Sequence, residues 1–180
     1  MMMIFKMTLS YHNTKNTPPF HPPKMWITVT LLSLCLPYLS MPVFAETLKI
    51  KDGDSFVLNG VEIRLWGIDA PEYNQQCQTS GKSYPCGREA RAFFENLLTP
   101  LPFILCKKKT GAKKETRKVA QCFIEDTDIA EILVRNGHAI DDKYFSTGHY
   151  KLAEEQAKAQ KRGIWRGQFM IPREWRKIHH

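Results

Sequence analysis

Acidic residues are missing from the first 45 positions, and positions 25–45, MWITVTLLSLCLPYLSMPVFA, carry no charge at all. Such a composition marks an expendable leader rather than part of a folded domain. Three lysines precede or abut the uncharged run, Pro37 and Pro42 interrupt it, and it ends in VFA with a small residue, Ala45. This is the pattern of an export signal cleaved after Ala45. A retained anchor is the competing reading, because the run is just long enough to span a bilayer, but the internal prolines and the VFA ending favour removal. Residues 1–45 are therefore expected to form an N-terminal extension and signal peptide, and residues 46–180 a single domain.

Zinc-ligand spacing is also lacking. The four cysteines beyond residue 45, Cys77, Cys86, Cys106 and Cys122, fit no zinc pattern, and an even number in an exported chain points to disulfides. Three connectivities are open; the favoured one joins Cys77 to Cys86 and Cys106 to Cys122, the latter tying two strands across a loop. His138 and His149 stand without the partners that would mark a catalytic histidine. A large charge excess is absent too: taking the three N-terminal lysines from 26 basic residues leaves 23 against 18 acidic ones. That excess suits a polyanionic partner without requiring one. The basic residues are concentrated, however. KKKTGAKKETRK at 107–118 holds seven of them against one glutamate, and Lys113 and Lys114 are candidates to lie beside a phosphate backbone. A plain solvated loop is the alternative.

What is present reads as a small mixed domain. TLKIKDGDSFVLNGVEIRLWGI alternates apolar and polar residues around a DGD turn and an NG pair, predicting three short strands. REARAFFENLLTP places Ala90, Phe93, Phe94, Leu97 and Leu98 on one helical face and ends at Pro100. FILC and VAQCFI predict two more strands flanking the lysine-rich loop. DIAE then opens a helix, with Asp128 as cap and Glu131 three residues on as in a capping box, closed by Asn136 and Gly137. A last helix is expected over about 150–162. Five short strands with a helix after the third predict a small closed sheet.

Asp54 in the DGD turn and Asp69 after the third strand would meet if those strands are neighbours. Converging carboxylates are costly unless a cation separates them, and hard oxygen donors favour Ca2+ or Mg2+. Glu72, held by Pro71, would stand near that cation, where a carboxylate can orient or deprotonate water. Arg64 lies five residues from Asp69 and so on the opposite face of an ideal strand; a bend at Gly67 would reconcile the two. A salt bridge from Arg64 to Asp52 or Asp54 is the local alternative.

DGDS at 52–55, RLWGIDAPE at 64–72 and LVRNGHA at 133–139, in that order and through to RGIW at 162–165, resemble the staphylococcal nuclease (thermonuclease) family. The resemblance implies an α+β fold: an OB-fold, a five-stranded Greek-key barrel with three helices. It further implies a Ca2+ ion held by Asp54, Asp69 and the main-chain carbonyl of Ala70, which stands where threonine is usual. Glu72 would be the general base, and Arg64 would bind the scissile phosphate. The family's second arginine stands in a D-[KR]-Y-G-R motif twelve residues before the aliphatic residue that opens the next helix. Counting back from Ile129 lands on Arg117, although KKETR replaces the motif's acidic, aromatic and glycine positions. Tyr144 lies near a family position that contacts substrate phosphate, with a packed tyrosine as the alternative; Trp165, Phe169 and Trp175 are expected to cover the barrel or the final helix. The function implied is Ca2+-dependent hydrolysis of DNA and RNA, with single strands preferred and fragments ending in 3′-phosphate, by a monomer without a stable protein partner. Two alternatives remain at this point: a noncatalytic nucleic-acid-binding or envelope module on the same fold, and a protein acting on another polyanion such as an acidic polysaccharide.

Overall fold

A computed structural model describes residues 47–99, 103–109 and 118–179; the expected leader lies outside them. The alternating stretch at the start of the domain folds as a meander of β1 (Leu48–Ile50), β2 (Ser55–Leu58) and β3 (Val61–Leu65), all antiparallel. Asn59 and Gly60, both at positive φ (50° and 78°), make the turn between β2 and β3, the geometry that suits the twist of a tight hairpin. β4 (Ile68–Asp69) follows after a bend, and a second hairpin, β5 (Cys77–Thr79) with β6 (Lys82–Tyr84), turns at Ser80 and Gly81. That hairpin was not expected from the sequence, because CQT and KSY are mostly polar and show no apolar alternation.

Helix α1 (Cys86–Leu98) buries Ala90, Phe94 and Leu98 on the face expected for it. β7 (Leu105–Lys108) and β8 (Lys118–Ile124) are antiparallel partners, so that Lys107, Lys108 and Lys118 of the expected lysine-rich loop belong to strands, while 110–117 lie outside the described residues; β8 pairs in parallel with β3. The sheet order is thus β1-β2-β3-β8-β7, with β9 (Thr127–Asp128) paired to β8. This is an α+β fold with the five strands of the expected Greek-key order. Among the described residues no ladder joins β7 back to β1; the start of β1 and the approach to β7 both border residues outside the description.

Asp128 caps α2 (Ile129–Arg135), its Oδ1 accepting from the amide of Ala130 at 2.9 Å. The capping box is only half realised, since the Glu131 side chain pairs with Arg135 one turn on. Three helices were expected and five are found among the described residues: α3 (Lys143–Ser146), a single turn after β10 (Ile140–Asp141); α4 (Lys151–Ala159); and α5 (Pro172–His179). A 3-10 turn, Gly163–Arg166, precedes α5. None of the described helices is long and apolar enough to cross a membrane.

The core forms where α1 and α2 cover the sheet. Phe56 and Phe94, both fully buried, meet edge to face with centroids 5.7 Å apart, and Ile129, Leu133 and Val134 of α2 close over Leu65, Ala120 and Cys122. Both favoured disulfides are present. Cys106 and Cys122 sit opposite each other in the β7–β8 register, and Cys77–Cys86 ties β5 to the first turn of α1.

Buried Asp128 also accepts from Tyr150 Oη at 2.9 Å and from Gln121 Nε2 at 2.6 Å. Asp128→Ala removes the cap and leaves a buried phenol without its acceptor, so urea denaturation should show a loss of about 2–4 kcal/mol; a loss below about 1 kcal/mol would contradict that role. His138 stacks on Phe93 at 4.1 Å, and burial, helped by the charge of Arg166, lowers its pKa from 6.5 to about 4. Between pH 6.5 and 4 the unfolded chain gains a proton there that the folded chain does not. Stability contributed at this site should therefore fall as pH falls through that window, by at most about 3 kcal/mol. The difference between wild type and His138→Phe, followed by denaturant midpoint, separates this from the titration of the aspartates.

Candidate active site

Strand alternation alone would send Arg64 and Asp69 to opposite faces. Gly67, at a φ of 76°, bends the chain between β3 and β4, and the two side chains meet with Arg64 Nη2 2.9 Å from Asp69 Oδ1. The same nitrogen lies 2.8 Å from Asp54 Oδ2. Arg64 therefore makes the salt bridge to Asp54 that local reasoning favoured, and holds Asp69 as well.

Asp54 is delivered by the loop between β1 and β2. Asp52 Oδ1 accepts from the Asp54 amide at 3.1 Å, and Gly53 packs so closely that a Cβ there would lie 2.8 Å from that of Ala70 and 3.1 Å from that of Ala90. The register places Ser55 opposite Arg64, with the Ser55 hydroxyl donating to Asp54 Oδ1 at 2.7 Å. The amide of Ala70 donates to Asp54 Oδ2 at 3.3 Å, fixing that peptide against the aspartates.

Asp54 and Asp69 are only 3% and 2% exposed. Burial raises the Asp54 carboxyl to about pH 6 against the pull of Arg64, and raises Asp69 as well against the pull of Arg176 and Arg64. With Glu72 beside them, Asp54 and Asp69 make three carboxylates against the two guanidiniums of Arg64 and Arg176, one positive charge short. A hard divalent cation would supply it, so these residues fit Ca2+ chemically. Among the described residues no three carboxylate, histidine or cysteine side chains converge on a metal position. Such an ion would complete its shell with main-chain oxygen and water, as Ca2+ commonly does.

Glu72 follows buried Pro71 in a tight turn: its amide donates to Gln75 Oε1 at 3.2 Å, and the Gln75 amide returns to the Glu72 carbonyl at 2.7 Å. Gly87, in the first turn of α1, lies against this turn; a Cβ there would fall 1.7 Å from the Glu72 carbonyl oxygen. A fifth side chain at the cluster was not expected. Arg176 of α5 donates through Nη1 to Asp69 Oδ1 at 2.9 Å and to Glu72 Oε1 at 2.6 Å, and through Nη2 to Asp69 Oδ2 at 3.2 Å. Burial works against its charge, but hydrogen bonds to Asp69 and Glu72 more than offset this and keep the guanidinium charged. A signal for α5 was present in the sequence: Pro172 at the first helical position, Glu174 early, and Arg176 and Lys177 late.

Arg64, Asp54, Asp69, Ala70 and Glu72 are thus brought together, while Arg117, Lys113 and Lys114 lie outside the described residues. Tyr144 is not packed; it is 79% exposed, meets Phe145 edge to face at 4.9 Å, and lines a cleft of about 740 Å3 that Asp69 also reaches. Trp165 and Phe169 meet at 4.9 Å over the Cys77–Cys86 disulfide, as covering residues should. The Gly87 contact makes a prediction. Gly87→Ala must push the Glu72 turn away, and thermal denaturation should show a loss of about 1–3 kcal/mol, whereas unchanged stability would mean that the turn has room to move.

With this geometry in place, comparison with known proteins is informative. The family model described as "Staphylococcal nuclease homologue" matches residues 62–167, from β3 through the 3-10 turn, taking in Arg64, Asp69 and Glu72 but neither Asp54 nor α5. A protein of Rhizobium meliloti (strain 1021), "Succinoglycan biosynthesis protein ExoI", is 33% identical over 129 residues, 71% of this chain. The chain spans 66% of that relative's own length. Families of this kind are generally nucleases or otherwise related to nucleic acids. With more than half of its residues matched, the chain belongs to the staphylococcal nuclease homologue family.

Proposed function

We propose that this chain is an exported, Ca2+-dependent phosphodiesterase that hydrolyses DNA and RNA with little sequence preference. The observation that carries the reading is the meeting of Asp54, Asp69, Arg64 and Glu72 where β3 bends into β4. A module that only binds nucleic acid needs basic and aromatic residues, and has no use for buried acidic groups whose desolvation must be offset.

Asp54, Asp69 and the carbonyl of Ala70 would hold the ion, which when bound neutralises charge on the phosphate and polarises it toward attack. Glu72 takes a proton from the attacking water. The water oxygen bonds to phosphorus, the bond to the 5′ oxygen breaks, and that oxygen leaves as a hydroxyl after taking a proton from solvent. The retained fragment ends in 3′-phosphate. A guanidinium has five N–H donors, so Arg64 can keep Nη2 on the aspartates while offering others to a nonbridging oxygen. Arg117 would supply a second fork, and the planar pair suits the charge that builds on the phosphate. Lys113 and Lys114 would follow the backbone beyond the scissile bond. Exposed Tyr144, beside Phe145 at the rim of the cleft, offers a face on which a base from a single strand can stack. The leader at 1–45 would direct the chain out of the cytoplasm, where its two disulfides persist, and the domain would act as a monomer.

A second reading is favoured by one observation, the relative named for succinoglycan biosynthesis. There the same fold would serve as a noncatalytic module, or act on a polyanion other than nucleic acid.

Release of acid-soluble nucleotides from single-stranded DNA by the oxidised protein separates the readings. Release should require Ca2+, stop with chelator, and fall by about 100-fold or more in Glu72→Gln. Release that survives both changes would overturn the assigned chemistry. No release from a folded sample would put the second reading first.

A further inference from the structure

The stretch from 168 to 179 follows the segment matched to the family, yet it is firmly built in. Gly167 lies so close to β5 that a Cβ would fall 1.9 Å from the Gln78 carbonyl oxygen, and Gln168 exchanges two main-chain hydrogen bonds with Gln78, both 2.8 Å. Buried Gln75 donates from Nε2 to the Met170 carbonyl at 2.6 Å, and Arg173 pairs with Asp142 at 2.7 Å. These contacts leave α5 one direction to run, and it carries Arg176 onto Asp69 and Glu72.

The consequence for Asp69 is a count of lone pairs. Its Oδ1 accepts from Arg64 Nη2 and Arg176 Nη1, and its Oδ2 from Arg176 Nη2. A carboxylate offers about four acceptor sites, so Asp69 has little left for a cation while Arg176 is seated. Arg64 cannot easily yield, being fixed on β3 and shared with Asp54. Arg176 can: its side chain is 30% exposed, and its helix is the last element described.

We infer that Arg176 is a residue of this site in its own right, a resident cation that competes with a divalent metal for Asp69 and covers Glu72 while it is seated. Entry of the metal and departure of the guanidinium are then one exchange, and by linkage what loosens one tightens the other. Arg176 frees the Glu72 carboxylate for water as it leaves. The inference rests on the proposed metal-binding role of Asp54 and Asp69, and goes beyond it by giving the C-terminal helix control over metal affinity.

Calorimetric titration of the oxidised protein with CaCl2, with no nucleic acid present, tests it. Arg176→Gln should bind Ca2+ at least about tenfold more tightly than wild type, with Arg176→Lys in between. Hydrogen exchange on the wild-type protein needs no variant: saturating Ca2+ should speed exchange across 172–179 and leave the β7–β8 ladder unchanged. Equal or weaker Ca2+ binding by folded Arg176→Gln, slower exchange in α5 with Ca2+, or no Ca2+ binding by either protein would overturn the inference. DNA cleavage is read separately on the same samples. Tightened binding without cleavage leaves Arg176 in its role and removes the nuclease reading, whereas cleavage with unchanged Ca2+ affinity does the reverse.

Discussion

Two carboxylates buried side by side, Asp54 and Asp69, set the terms for everything around them. Their charge cannot be left uncompensated in the interior, and the chain answers with a guanidinium from each side, Arg64 from the sheet and Arg176 from the last helix. The bend at Gly67 exists so that a strand residue and a residue five positions later can face each other. The close approach of Gly53 to Ala70 and Ala90 brings the loop that carries Asp54 down to the same point. A cluster arranged this way is poor at stabilising a fold and good at receiving charge.

Much of this was legible in the sequence because the informative residues are local. The NG turn, the DGD loop and the APE segment each set backbone geometry over a few residues, and Asp128 caps its helix as its position suggests. The Cys106–Cys122 pairing followed from the two strands expected on either side of the lysine-rich stretch. What escaped notice depends on contacts across the chain. Arg176 reaches its partners over more than a hundred positions, through main-chain contacts of Gln78 and Gly167 and the buried side-chain amide of Gln75, none of which carries a pattern of its own. Tyr144 is exposed rather than packed because α3 is one turn long and has only one buried residue, Ser146, a limit set by the length of the turn and not by the tyrosine itself.

The second disulfide also divides labour within the domain. Cys77–Cys86 fixes the first turn of α1 against β5, and β5 in turn carries Gln78, the partner of Gln168. The peptide that follows Asp69, the Glu72 turn and the root of α5 are thereby built on one small covalent frame, away from the main sheet. Precision at the site comes from this frame, since a few tenths of an ångström there decide whether a carboxylate meets water or a guanidinium.

Cys106 and Cys122 sit across from each other in the β7–β8 ladder, and the Lys109 amide still reaches the Val119 carbonyl at 3.0 Å. The ends of the intervening lysine-rich segment are thus closed by a covalent bond and a ladder that do not depend on what lies between them. Lengthening or rewriting such a segment costs only slowly growing closure entropy. The scaffold is thereby insulated from that segment: change between the two anchors is a question of chemistry and not of folding.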